Sequence, residues 1–179
     1  MSKTAASSEL NDKRRTIPDK LTVSGGAQLR GQVSIPGAKN SILPIMAACL
    51  LTEETCHLTN VPLIQDVEIM AALLRALGAH VELDRKQHAL SISASRVTSF
   101  EADSSLVTAM RASFLVAGPL LTRFGGFDCV HPGGCAIGLR PVNVDIHGFR
   151  SMGANIVIDQ NRYKARAQQL TGTRIYLDY

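Results

Sequence analysis

The sequence has few aromatic residues and no long hydrophobic run. Only 4% of its 179 residues are aromatic: there is no tryptophan, and the three tyrosines and five phenylalanines are scattered. Binding of nucleic acid by stacking usually needs aromatic side chains among basic ones, so we expect no nucleic-acid partner. The longest apolar stretches, 42–51 and 112–121, are about half the length of a membrane-spanning helix. No apolar signal core follows the N-terminal charges, and we expect a cytoplasmic chain without a membrane partner.

The net charge is small and the cysteines are few. The formal net charge is +4, which favours small anionic ligands such as phosphate esters and nucleotides. Cys49, Cys56, Cys129 and Cys135 do not form a disulfide framework. The first three lie in apolar runs, which predicts buried thiols. Zinc bound by Cys129, His131 and Cys135 stays open as an alternative, although their spacing matches no paired-cysteine motif.

The N-terminal part of the chain divides into a polar tail and a patterned segment. Residues 1–20 are rich in Ser, Ala and charge without periodicity, which predicts a disordered tail. Apolar residues at alternating positions in 21–35 predict two short strands around Gly25-Gly26. Pro36-Gly37 then ends the strand, and a helix is expected to begin near Asn40.

An internal repeat follows. The stretch from Asp66 to Leu77 has a helical apolar stripe ended by Gly78, and an antiparallel ribbon is expected over 81–93. The order of helix, Gly-Ala and strand recurs 75 residues later around Gly153. Between the two copies, Asp103 and Ser104 predict the start of a helix that runs to about residue 121.

These elements predict an α/β (α+β) fold made of repeated βαβαββ units. We expect a tail over 1–20 and one partial domain over 21–179. Its units would span about 21–93 and 94–168, with the start of a third over 169–179.

Three clusters carry candidate chemistry. Gly37-Ala38-Lys39-Asn40 places a lysine at a helix N-terminus, which suits an anion; the alternative is a strand–helix turn with a solvated lysine. Cys135 lies in a glycine-rich loop near Arg140, where positive charge favours thiolate; the alternative is an inert buried thiol. Arg111, in a largely apolar helix, lies either at the rim of that helix or beside an anion.

The chain resembles the UDP-N-acetylglucosamine enolpyruvyl transferase family over about residues 21–179. The matching segments are Gly37–Asn40, Asn60-Val61-Pro62, Asp66-Val67, Leu77-Gly78-Ala79, Met110–Ser113, Gly118-Pro119-Leu120, Arg123-Phe124-Gly125 and Pro132–Val142. The last of these, PGGCAIGLRPV, is the most specific.

The resemblance implies a fold, a reaction and a set of site residues. The family fold is two domains of three βαβαββ units each, with the active site between them. The reaction transfers the enolpyruvyl group of phosphoenolpyruvate to the 3-hydroxyl of UDP-N-acetylglucosamine, without a metal or organic cofactor. The implied residues are Cys135 as general acid and fosfomycin target; Lys39, Asn40 and Arg140 for phosphoenolpyruvate; and Arg111, Arg140, Pro141, Val142, Asn143 and Val144 for UDP-N-acetylglucosamine.

The chain departs from the family pattern in two ways. Asn143 and Asp145 stand where the family usually has an acidic residue and often a histidine. The resemblance also implies a longer protein, whose second domain supplies further site residues, so a complementing C-terminal fragment is a possible partner. Two alternatives stay open: a non-catalytic paralogue that binds UDP-N-acetylglucosamine, and a gene fragment without function.

Overall fold

A computed structural model describes residues 20, 22–26, 28–133 and 142–176. The chain divides into two units, Met1–Ser34 and Ile35–Tyr179. The tail predicted over 1–20 lies outside the described residues except for Lys20. The described residues of the first unit form no strand, so the prediction of two strands around Gly25-Gly26 is wrong for them. Alternating apolar residues form a strand when one face is buried and the backbone is paired, and here Leu29 is 94% exposed.

The second unit opens with helices and a small antiparallel sheet, which make the first structural repeat. Strand β3 is central, with β1 and β2 antiparallel on its two sides. The elements are α1 (Lys39–Ala48), a 3-10 helix (Cys49–Leu51), β1 (Thr55–Leu58), α2 (Gln65–Ala76), β2 (His80–Asp84) and β3 (Ala89–Ser93).

The second repeat has the same sheet topology. Strand β6 is central, between β4 and β5, and both pairings are antiparallel. An isolated parallel bridge joins Glu101, just before α3, to Asp128 of β4. The elements are α3 (Ser104–Ala109), a 3-10 helix (Arg111–Val116), α4 (Ala117–Phe124), β4 (Gly126–Val130), α5 (Asn143–Ser151), β5 (Asn155–Asp159) and β6 (Arg162–Arg166). Residues 167–176 carry no helix or strand.

The same arginine contact joins helix to strand in both repeats. Arg75, at the end of α2, donates two hydrogen bonds to the Val81 carbonyl, at 3.0 and 2.7 Å. Arg150, at the end of α5, donates to the Ile156 carbonyl at 2.7 Å. Each pair lies 75 residues from its counterpart, so the repeat seen in the sequence is also a repeat of side-chain geometry.

The core is one cluster of buried side chains that joins both repeats. The largest fully buried members come from α1, the first 3-10 helix, α2, β3, α4, β4 and two connecting residues: Met46, Leu50, Val61, Met70, Leu73, Leu74, Leu77, Leu90, Ile92, Leu120, Leu121 and Phe127. Helices and antiparallel sheets therefore share one hydrophobic core, as the predicted α+β class requires.

The helix predicted from residue 103 to about residue 121 is interrupted. Asp103 does cap α3, since its carboxylate accepts from the backbone N–H groups of Ser105 and Leu106. The helix nevertheless stops at Ala109, because Met110 is extended, with φ −150° and ψ 127°. The buried hydroxyl of Ser113 donates to the Met110 carbonyl and stabilises the break.

Arg123 connects the two repeats. From α4 of the second repeat, its guanidinium donates to the carbonyls of Leu50, Thr52 and Ala94 at 2.8, 2.9 and 3.0 Å. These three carbonyls belong to the chain just before β1 and just after β3 of the first repeat. The guanidinium also lies 4.7 Å from the centre of the Phe124 ring. One side chain therefore donates to three backbone carbonyls of the first repeat.

We expect Arg123→Met to lower the free energy of unfolding by about 2–3 kcal/mol, because three carbonyls lose a charged donor. The measurement is urea denaturation followed by circular dichroism. The matched control is Arg85→Met, which removes an exposed pair with Glu68 and should cost less than about 1 kcal/mol. Equal losses in the two variants would contradict this structural role.

The two repeats also offer a paired glycine test. Gly78 and Gly153 both follow a helix with positive φ, 105° and 100°, but only Gly78 is crowded. A Cβ on Gly78 would lie 2.7 Å from the Arg96 carbonyl oxygen, whereas one on Gly153 would lie 3.8 Å from its nearest neighbour. We expect Gly153→Ala to cost about 1–2 kcal/mol from backbone strain. Gly78→Ala should cost at least about 1 kcal/mol more, as thermal melting would show, and equal costs would contradict the packing argument.

Candidate functional site

A cleft of about 550 Å³ lies among α1, the start of α2, the break after α3, and α5. Three residues predicted from the sequence line it: Lys39, Asn40 and Arg111. Its other lining residues are Leu43, Asp66, Ala109, Met110, Ala112, Phe114, Leu115, Gly118, Asp145 and Phe149. The cleft thus combines two cations and two carboxylates with an apolar wall.

Gly37 sets the position of Lys39. A Cβ at Gly37 would lie 2.2 Å from the Asn60 carbonyl oxygen, which only glycine avoids. The Gly37 N–H donates to that oxygen at 3.2 Å, and α1 begins two residues later at Lys39. The first turn of α1 contains no acidic residue and no side-chain cap. Its N-terminus therefore directs positive potential and N–H groups toward the cleft.

Lys39 is held by a carboxylate that the sequence did not single out for a role. Its Nζ lies 2.5 Å from Oδ2 of Asp66, at the start of α2. An acidic residue in the first turn of a helix is explained by the helix dipole alone. The sequence therefore carried no signal that Asp66 pairs with a lysine 27 residues earlier.

Arg111 approaches the cleft from the second repeat. A guanidinium nitrogen lies 4.0 Å from the Asp145 carboxylate of α5. Arg111 also acts on Tyr163 of β6: burial and nearby Cys129 raise the pKa of this phenol, while Arg111 opposes the rise. Arg111 thus connects the cleft electrostatically to Tyr163, whose ring packs against Phe114 of the cleft wall.

Cys135, Arg140 and Pro141 lie outside the described residues, but the residues next to segment 134–141 are described. Gly133, just before this segment, packs so closely that a Cβ would lie 2.2 Å from the Thr108 carbonyl oxygen, and its N–H donates to the Val107 carbonyl at 3.3 Å. Val142, just after it, is fully buried, and its carbonyl accepts from the Ile146 N–H. The end of α3, which adjoins Arg111, therefore also contacts Gly133.

The residues predicted to bind the nucleotide after Pro141 have different environments. Val142 is a core side chain, whereas Asn143 and Val144 are exposed in the first turn of α5. The same turn carries Asp145 into the cleft. The helix that begins at Asn143 thus brings a polar first turn to the side of the cleft nearest Arg111.

Of the three cysteines predicted to be buried, two are buried and one is half-buried. Cys49 and Cys129 are 4% and 0% exposed, while Cys56 is half-buried. Burial raises the pKa of the Cys49 thiol to about 12, helped by the neighbouring Cys56, and that of the Cys129 thiol to about 12. Among the described residues, no group of three or more His, Cys, Asp or Glu side chains could hold a metal ion.

Within the described part of the chain, no helix is long and apolar enough to cross a membrane.

The chain matches known proteins over most of its length. The EPSP synthase (3-phosphoshikimate 1-carboxyvinyltransferase) family model matches residues 23–179. A UDP-N-acetylglucosamine 1-carboxyvinyltransferase of Clostridium tetani is 40% identical over 90% of this chain, and one of Psychromonas ingrahamii is 48% identical over 89%. The matched regions are 39% and 38% of those relatives' own lengths.

A solved structure shares the fold. The enolpyruvyl transferase NikO from Streptomyces tendae superposes with a TM-score of 0.70 at 23% sequence identity, over 82% of this chain and 32% of its own. The fold class and the resemblance predicted from the sequence are confirmed. From the family match over 23–179 and this shared fold, the chain belongs to the EPSP synthase family of enolpyruvyl transferases.

Proposed function

We propose that this chain takes part in enolpyruvyl transfer from phosphoenolpyruvate to the 3-hydroxyl of UDP-N-acetylglucosamine, the first committed step of peptidoglycan synthesis. The observation that carries the proposal is the cleft where Lys39, Asn40 and Arg111 meet at the N-terminus of α1. Relatives 40% and 48% identical bear the name of this reaction. The chain spans less than two-fifths of their length, so activity, substrates and cytoplasmic location are all part of the proposal.

The proposed reaction is an addition followed by an elimination. The Cys135 thiol protonates the methylene carbon of phosphoenolpyruvate, and the sugar hydroxyl adds to the neighbouring carbon as it loses its proton. The methyl group formed then loses a proton, and phosphate departs with the electrons of its carbon–oxygen bond. The products are enolpyruvyl-UDP-N-acetylglucosamine and phosphate. An acid over the methylene carbon and cations at the phosphate are what this sequence of steps needs.

The described cleft residues would bind a doubly charged ligand by sharing a cation that a carboxylate already contacts. Lys39 lies against Asp66, and Arg111 faces Asp145, so the two cations are matched by two carboxylates. We propose that the phosphate or carboxylate of phosphoenolpyruvate binds to Lys39, Asn40 and Arg140. Asp66 then keeps the Lys39 ammonium in place while a second anion shares it. Arg111 and the 142–144 segment, including Asn143, would contact UDP-N-acetylglucosamine.

Substrate turnover tests the proposal. Phosphate release would be followed with both substrates, using this chain alone and this chain mixed with the C-terminal remainder of the Clostridium tetani relative. Turnover that Cys135→Ala abolishes supports an enzyme. Saturable UDP-N-acetylglucosamine binding without turnover supports the non-catalytic paralogue, and neither binding nor a cooperative melt supports a fragment without function.

In the active preparation, Lys39→Met should lower kcat/KM by about a hundredfold or more, because a charged contact to the transferring group is lost. Lys86→Met is the matched control, since Lys86 lies exposed in the turn between β2 and β3, and it should leave the rate unchanged. Equal rates for both variants would contradict the role of Lys39.

Thiol chemistry gives an independent prediction. At pH 8 a thiol of pKa about 12, as at Cys49 and Cys129, is ionised to about one part in ten thousand. Fosfomycin, an epoxide, should therefore spare those two thiols in the native chain, and the proposed role of Cys135 makes that thiol its expected target. Peptide mapping would show an adduct at Cys135, absent from Cys135→Ala, whereas adducts at Cys49 or Cys129 would contradict the prediction.

A further inference from the structure

Four consecutive residues line the cleft: Ala109, Met110, Arg111 and Ala112. In a continuous α-helix, successive side chains are rotated by about 100°, so four in a row point all around the axis and cannot share one face. The extended backbone at Met110 is what allows this arrangement. The position of Arg111 in the cleft therefore depends on the break between α3 and the following 3-10 helix.

The next residue, Ser113, turns away from the cleft and is 1% exposed. Its hydroxyl oxygen lies 2.6 Å from the Met110 carbonyl oxygen and 3.1 Å from that of Val107. One hydroxyl proton is thus shared by two acceptors, Val107 within α3 and Met110 at the break itself. The Val107 carbonyl also accepts from the Gly133 N–H at 3.3 Å, so it contacts the second repeat beyond β4 as well.

We propose that Ser113 is a positioning residue for Arg111: its buried hydroxyl fixes the break at Met110 and so holds the guanidinium at the nucleotide side of the cleft. This inference deepens the proposed function, on which its ligand rests. Without the hydroxyl, the Met110 and Val107 carbonyls lose a donor in a buried site. The local backbone then relaxes toward regular helix, which rotates Arg111 out of its place.

The first test needs no ligand and uses Tyr163 as a reporter of Arg111. In a chain carrying Tyr176→Phe and Tyr179→Phe, Tyr163 is the remaining tyrosine, and its ionisation is followed by ultraviolet absorbance. Arg111→Ala should raise the Tyr163 pKa, because a nearby positive charge is removed. Ser113→Ala should raise it too, and should add nothing in the Arg111→Ala background. An unchanged Tyr163 titration in Ser113→Ala, or the same shift in both backgrounds, would overturn the proposal.

The second test measures UDP-N-acetylglucosamine affinity by calorimetry. Ser113→Ala should weaken binding on the order of fivefold to tenfold, with no further loss when Arg111 is already alanine. Ser105→Ala is the control, since its hydroxyl bonds to Asp103 on the same short helix but away from the break; it should leave affinity unchanged. Equal weakening by Ser105→Ala, or additive losses, would overturn the proposal.

Two features of the design separate the possible failures. If the unsubstituted chain does not bind the nucleotide, the nucleotide part of the proposed function fails, while the Tyr163 titration still decides the role of Ser113. If Ser113→Ala does not fold, Ser113→Cys keeps the volume with a much weaker donor and takes its place in both tests.

Discussion

The contact between Arg123 and three backbone carbonyls of the first repeat is the interaction on which the site geometry depends. Lys39 and Asn40 belong to the first repeat and Arg111 to the second, so the cleft exists only if the repeats are held in one relative position. The shared core supplies cohesion, but burial of apolar area has little directional preference. One guanidinium nitrogen of Arg123 lies within hydrogen-bond distance of the Leu50, Thr52 and Ala94 carbonyls at once, and hydrogen bonds are directional contacts that hold α4 against the first repeat.

Much of the fold could be predicted because its signals are local. The apolar stripe of α2, the glycine after it and the ribbon of β2 and β3 follow from periodicity and turn chemistry within a few residues. Lys39 could be singled out for a similar reason, since a lysine after Pro-Gly at a helix start combines local charge and geometry. The boundaries proposed for the βαβαββ units, and the roles of the site residues, stay predictions.

The remaining features depend on contacts distant in sequence or on competing local bonds. The break at Met110 was missed because Ala109, Met110, Arg111 and Ala112 are all good helix formers, and the bond from the buried Ser113 hydroxyl to the Met110 carbonyl leaves no periodic signal. Asp66 was given no role because its partner, Lys39, lies on another helix. The strands expected before Ile35 required a neighbour that periodicity does not specify. In each case the deciding partner is not readable from the pattern itself.

The arginine contact that joins helix to strand in each repeat affects which sequence changes the chain can tolerate. Arg75 and Arg150 each bind a backbone carbonyl of the strand that follows their helix. This contact therefore needs no particular side chain on the strand. A duplicated unit can therefore keep its helix–strand contact while the sequence of its other segments changes. In this chain the segments that line the cleft differ between the copies: a lysine at a helix start in the first, and a broken helix that carries Arg111 in the second. The two repeats therefore share one helix–strand contact and differ in the residues that they present to a ligand.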